Sequence, residues 1–228
     1  MSKKLKSSDT FLPEVIEIMD LSPFSEAAQA SFVRDSFGNS VYPYAPKPEQ
    51  FSLEAIAHAL SMQCRFNGHI DSFYSVAQHS VYVSRVCKLR AAKMWGLMHD
   101  AAEYIIGDIP TPVKRYLPKE VVTLEDRIAD SICERFKVER SDGIDAEVKR
   151  ADYHLLLAEA MTLHPDRHNE LANWKEMKTD RPLRDYRLDK IDPLYYPWPP
   201  ALAKLQFLNE FHALSRDQPS TFMSYFLS

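Results

Sequence analysis

The sequence predicts an all-α protein with one marginal β element near its N-terminus. The 15 prolines of the 228-residue chain leave residues 49–109 and 119–164 free of them, so helices can run uninterrupted there. Apolar residues recur at helical spacing through both stretches. Strand signals are confined to residues 31–44.

In chain order, residues 1–30, including the apolar run at 11–19, read as a short extra helix or arm. Phe32, Val33, Phe37, Val41 and Tyr42 around a turn at 35–39 fit one small hairpin. Leu53, Ile56, Ala57 and Leu60 share a helical face, and residues 65–69 break it. Ser75 then caps a helix whose buried stripe holds Val76, His79, Val83 and Val86. Residues 91–105 are apolar nearly all round, the mark of a central helix, which Gly107 and Pro110 end. Leu124, Ile128, Ile132 and Phe136 repeat every four residues on an amphipathic helix. The next helix, residues 142–163, sets Asp152 on the same side as Val148, Leu155 and Leu156. Residues 164–198 are charged and punctuated by proline, too irregular for a regular element; they are expected to cap the site, touch a second subunit or form a surface loop. Pro199 and Pro200 start a last helix with Leu202, Leu205 and Leu208 facing inward.

Composition narrows the function. With 45% hydrophobic and 26% charged residues the chain reads as an ordinary soluble globular protein, and a net charge of -4 gives no reason to expect nucleic acid as a partner. It has 5 glycines, no two within ten residues of each other, which excludes the phosphate loop and the dinucleotide fingerprint, since both need clustered glycines. The 3 scattered cysteines fit neither a disulfide framework nor a thiolate zinc site, and a reducing cytoplasm suits them. No stretch approaches the ~20 apolar residues of a membrane span, and the N-terminus lacks a signal-like run. A cytosolic protein with no membrane partner is expected.

Four residues are polar where the helical pattern asks for apolar ones: His79, His99, Asp100 and Asp152. A lone histidine on such a face is more often a hydrogen-bonded core residue, and a lone buried aspartate is commonly paired with arginine. Together they mean more, because several buried ionisable groups are most readily satisfied by converging on one cation. Two imidazole nitrogens and two carboxylate oxygens suit a divalent transition metal: Mn, Fe, Co, Ni or Zn.

The order His79, His99-Asp100, Asp152 resembles the HD superfamily of metal-dependent phosphohydrolases, whose helical bundle gathers these residues. The run H-D-A-A-E-Y-I-I-G-D-I-P-T-P-V-K at 99–114 resembles bacterial HD-domain 5'-deoxynucleotidases. The runs C-R-F-N-G-H at 64–69 and F-Y-S-V-A-Q-H-S at 73–80 resemble phage and prophage HD proteins that include dATP triphosphohydrolases. The likeness implies an HD domain over residues 36–214, an N-terminal extension at 1–35 and a C-terminal tail at 215–228. It also implies a homo-oligomer, dimer or hexamer. Two-metal relatives carry further histidines after the H-D pair, whereas none occurs here between His99 and His154, so one metal ion is expected.

The resemblance further implies roles for five residues. Glu103, four after His99 and three after Asp100, would orient or deprotonate the attacking water. Asp108 would contact the sugar or assist the leaving oxygen. Arg65 would grip phosphate, as its planar fork is suited to do, and Lys114 would add a second positive charge. Phe66 stands where the deoxynucleotidases have tryptophan; it keeps a ring for stacking but no indole N–H, so sugar and base preference do not carry over. The implied reaction is attack of metal-activated water on the α-phosphorus of a deoxynucleotide. A dNTP, with dATP favoured, would give deoxynucleoside plus triphosphate. A dNMP would give deoxynucleoside plus phosphate. A nucleotide-binding regulatory module without turnover is the alternative of another class.

Overall fold

The computed structural model describes residues 25–165 and 187–216. The expected arm at 11–19, most of the 164–198 segment and nearly all of the C-terminal tail lie outside them. After a short helix α1 (Glu26–Ala30), β1 (Val33–Arg34) pairs antiparallel with β2 (Ser40–Val41), Val33 opposite Val41. Asp35 closes this hairpin, its carboxylate accepting from the Phe37 and Asn39 N–H groups. Val41 is fully buried, so the hairpin is stapled to the helical core. The protein is mostly helical with this one small sheet, as the sequence predicts.

Serine caps start the helices that matter most. Ser52, Ser75 and Ser141 accept N–H groups from the first turns of α2 (Leu53–Met62), α3 (Val76–Val86) and α8 (Asp142–Leu163). Helix α3 is the hub. Every residue from Val76 to Ser84 is buried, because α2, α4 (Arg90–Met98), α8 and α10 (Pro200–Ser215) all pack on it. Close approach of α4 depends on Gly96, where a Cβ would lie 3.1 Å from Val83 Cγ1 and 3.4 Å from Cys87 Sγ. Two short helices, α5 (Glu103–Ile106) and α6 (Thr111–Lys114), lead into the long α7 (Lys119–Phe136). A single turn, α9 (Leu188–Ile191), precedes a strap that crosses α3. There Gln78 donates to the Tyr196 carbonyl and accepts from the Trp198 N–H. Among the described residues no helix is long and apolar enough to cross a membrane.

Two expectations need correction. The helix expected over 91–105 is two helices, α4 and α5, separated by a turn at 99–102. The cause is local: His99 Nδ1 donates to the Gly96 carbonyl at 2.8 Å, occupying the acceptor that an α-helix would offer to the Asp100 N–H. The backbone tightens, with Ala101, Glu103, Tyr104 and Ile105 bonding three residues back instead of four. On α10, Leu205 is 52% exposed, while Ala203, Phe207 and Phe211 face the core. Leu202 and Leu208 still pack against the core as expected, but the face centres on the two phenylalanines, which bury more apolar area.

Candidate metal centre

Three elements bring the predicted ligands together. His79 is one turn into α3 and fully buried; His99 and Asp100 lie in the tightened turn after α4; Asp152 is midway along α8. His79 Nε2 lies 3.1 Å from Asp152 Oδ1 and 3.6 Å from Asp100 Oδ2. His99 Nε2 lies 3.1 Å from Asp100 Oδ1 and 3.9 Å from Asp152 Oδ1. Two ligands of one ion, each about 2.1 Å from it at octahedral or tetrahedral angles, sit about 3.0–3.4 Å apart. The 3.1 Å separations fall in that range, while those of 3.6 and 3.9 Å exceed it, so Asp100 and Asp152 would each shift by a few tenths of an ångström to complete such a set. His79, His99 and Asp100 alone form a group whose ligand atoms lie within 4.8 Å of one another, and Asp152 meets both of its imidazoles.

The imidazole protons strengthen the fit. His79 Nδ1 donates to Glu159 Oε1 at 2.6 Å, and His99 Nδ1 donates to a carbonyl, which can only accept. In the neutral rings both Nε2 atoms therefore carry bare lone pairs, the form that binds metal. Both Nε2 atoms are buried without a hydrogen-bond partner among the described residues. A divalent cation satisfies these two orphaned acceptors and the two carboxylates at once.

The surrounding charges show what the ligands experience without one. Burial and Arg65 oppose a second proton on His79, yet Glu159 and Asp152 outweigh them and push it up to about 9. Burial also works against ionised Asp152, but His79, His99 and Arg65 hold it well below the usual carboxylate range. Of the carboxylates around His79, Asp100 and Asp152 at its Nε2 are those that would face a cation, while Glu159 lies at Nδ1.

Glu103 is buried, with one carboxylate oxygen unpartnered among the described residues. It reaches the centre by tight winding rather than by the expected α-spacing: its N–H bonds the Asp100 carbonyl, and positions three apart eclipse in such a turn. Burial, then the charges of Asp100 and Asp108, push it up to about 10, against Arg65 and Lys114. Asp108 is raised by burial and also feels the charges of Arg65, Asp100 and His79. Arg65 is buried, its Nη1 3.7 Å from Asp100 Oδ2. Phe66 is half-buried against the core, with the Arg65 guanidinium 5.8 Å from its ring centre. It holds a left-handed φ of 55°, as does Asn67 at 50°, an unfavourable conformation for non-glycine residues that shapes the Arg65 loop. Lys114 contacts both oxygens of Glu125 at 2.5 Å, and its charge is also felt by Glu103 and Asp100.

Two participants were missed by sequence reasoning. Glu159 on α8 is fully buried and bonds both His79 and Arg65. Its signal was present: an acid inside the apolar run L-L-L-A-E-A-M, two turns after Asp152 on one helical face. Gln63 donates to the Glu103 carbonyl at 2.9 Å, and nothing in its sequence context marks it.

A family model described as HD domain matches residues 71–159, which include all four ligand candidates. The uncharacterized protein YfdR of Escherichia coli is 36% identical over 136 residues, 60% of this chain and 74% of that protein. An uncharacterized protein of Rhodobacter capsulatus is 33% identical over 144 residues, 60% of this chain and 70% of its own length.

Proposed function

The chain belongs to the HD-domain family, and on that premise we propose that it is a metal-dependent phosphohydrolase acting on deoxynucleotides. The observation that carries the reading is the pair of buried, unpartnered imidazole nitrogens facing two carboxylates. His79, His99, Asp100 and Asp152 would hold the ion. A divalent cation there supplies Lewis acidity toward water and toward a phosphoryl oxygen.

The remaining groups are the protein's own contribution. Arg65, fixed beside Asp100, presents its guanidinium to phosphate oxygens. Glu103, once ionised by a cation's charge offsetting the burial and the acidic neighbours that push it up, would accept the proton of the attacking water. Water oxygen bonds the α-phosphorus as the bond from phosphorus to the 5' oxygen breaks, and that oxygen takes up a proton. Asp108, which burial pushes toward its protonated form, is suited to give it.

The finer choice is between dNTP, with dATP favoured, and dNMP. What supports the triphosphate is room with the right charge. A cleft of about 600 Å³ is lined by Thr111, Lys114, Arg115, Leu117, Lys119, Val122 and Thr123, with Lys114 also paired to Glu125. Lys114 links that cleft to Glu103 and Asp100, so β and γ phosphates would lie among cations while the α-phosphorus meets water. Incubation with Mn²⁺ or Co²⁺ and a panel of dNTPs and dNMPs, resolving nucleoside, phosphate and triphosphate, tests both levels. Nucleoside with intact triphosphate is expected from dATP; nucleoside with phosphate from dNMP alone would reverse the finer choice. Glu103→Ala is expected to lower kcat about 10²–10⁴-fold with unchanged metal content. No turnover across the panel would favour a nucleotide-binding regulatory module instead.

A further inference from the structure

We propose that Glu159 is a positioning residue with two clients, holding the remaining proton of the neutral His79 ring at Nδ1 so that Nε2 is the nitrogen offered to the cation, and aiming Arg65 at the phosphate; this rests on the phosphohydrolase reading. Its two oxygens are divided between them. Oε1 accepts the His79 Nδ1 proton at 2.6 Å, and Oε2 accepts the Arg65 Nε proton at 3.0 Å. The three residues come from α3, the loop after α2 and α8, so one buried carboxylate ties together three separate parts of the site.

On the metal side, Glu159 decides where the imidazole keeps its proton. Asp152 Oδ1 lies 3.1 Å from the other ring nitrogen and is itself an acceptor. Without Glu159 the proton can move to Nε2 and face Asp152, and a protonated Nε2 binds no metal. On the phosphate side, Glu159 takes only the inner Nε edge of Arg65. That leaves the outer nitrogens at the centre, with Nη1 3.7 Å from Asp100. The residue therefore organises the ion's ligand and the substrate's partner through one group.

An amide at this position cannot do both. A carboxylate only accepts, whereas glutamine offers one accepting oxygen and one NH₂, and the NH₂ would have to face a second N–H donor. Glu159→Gln conserves shape but must either release one of the two donors or turn its NH₂ toward His79 Nδ1, which drives the ring proton to Nε2. The test is calorimetric titration of the metal-free full chain with Mn²⁺, alongside KM and kcat for dATP. Glu159→Gln is expected to weaken Mn²⁺ binding about 10–100-fold and to raise KM. Arg65→Ala is expected to raise KM while leaving the Mn²⁺ affinity unchanged. A Glu159→Gln protein that unfolds at lower temperature yet binds Mn²⁺ and dATP like the parent overturns the inference, since a purely structural role would behave so.

A second measurement needs no variant. In the ¹¹³Cd-loaded parent chain, nitrogen-resolved NMR is expected to show cadmium coupled to His79 Nε2 with the proton on Nδ1, and coupling to Nδ1 overturns the proposal. A parent that takes up no cation sinks the functional reading itself, whereas a cation-binding parent matched by Glu159→Gln sinks this inference alone.

Discussion

Helix α3 and the lip at residues 111–123 both bring polar groups to one site, and they are built in opposite ways. On α3 every residue from Val76 to Ser84 is buried and its polar side chains are committed: Gln78 to the strap at Tyr196 and Trp198, His79 to Glu159, Ser80 to the Val76 carbonyl. The lip is mostly exposed, its cations lining an open cleft, with the Lys114–Glu125 pair as its clearest tether. Burial fixes position because a buried polar group that loses its partner costs about 1–3 kcal/mol, whereas exposed charges rearrange at little cost. On the proposed function, the chemistry would be housed where geometry is overdetermined, and the recognition of extended phosphates where side chains can adapt. Substitutions should divide accordingly: those on the α3 side act all or nothing, and those on the lip change preference by small factors.

The sharpest way to break that contrast is to delete a ligand from the rigid side. His99→Ala removes one of the two bare imidazole nitrogens and a side chain that is 11% exposed, next to the opening of the site rather than in the apolar core. The fold should persist while cation content, measured by elemental analysis after dialysis, falls to background and turnover disappears. Retained stoichiometric metal would mean that the quartet is not the binding set.

A smaller effect probes the packing beneath the ligands. At Gly96 an added Cβ meets Val83, which is wholly buried between helices and cannot yield. Overpacking of this kind costs about 1–3 kcal/mol, offset in part by the helix preference for alanine, about 1 kcal/mol. Gly96→Ala should therefore lower the melting temperature by a few degrees. It should also weaken Mn²⁺ binding, since the Gly96 carbonyl holds His99 and Val83 lies one turn from His79. Gly143→Ala is the matched control, because nothing lies within 4 Å of its new carbon. It should leave metal affinity alone, and a parallel loss there would undo the packing argument.

The same division explains what could be read from the sequence. The juxtaposition of His79 and Asp152 was legible because each puts a polar group on an apolar helical stripe, a pattern fixed by backbone period, whereas His99 and Asp100 join them from the turn after α4. Their convergence followed from the cost of burying them singly. The turn after α4 was not legible, because it depends on a side chain, His99, capturing a backbone carbonyl three residues earlier, which no periodicity reveals. The inward face of α10 was read in part: Leu202 and Leu208 pack against the core, but Leu205 does not, because tertiary packing centres the face on Ala203, Phe207 and Phe211. Glu159 stood in plain view as an acid among leucines and alanines, yet its two partners lie 80 and 94 residues away.

The smallest expected effect belongs to the lip, and it is the most informative about substrate. Lys119 is exposed and lines the cleft beside Lys114 and Arg115. An exposed charge contributes little to binding, so Lys119→Ala should raise KM for dATP only about two- to fivefold. The direction of selectivity matters more than the size. A dNMP has no β or γ phosphate to place in the cleft, so its KM should not move. The dATP effect should also shrink as salt is raised, because exposed charges are screened beyond a Debye length of about 10 Å at 0.1 M ionic strength. Equal changes for dATP and dNMP would mean that the cleft does not separate them, and that whatever discriminates tri- from monophosphate lies on the buried side with Arg65.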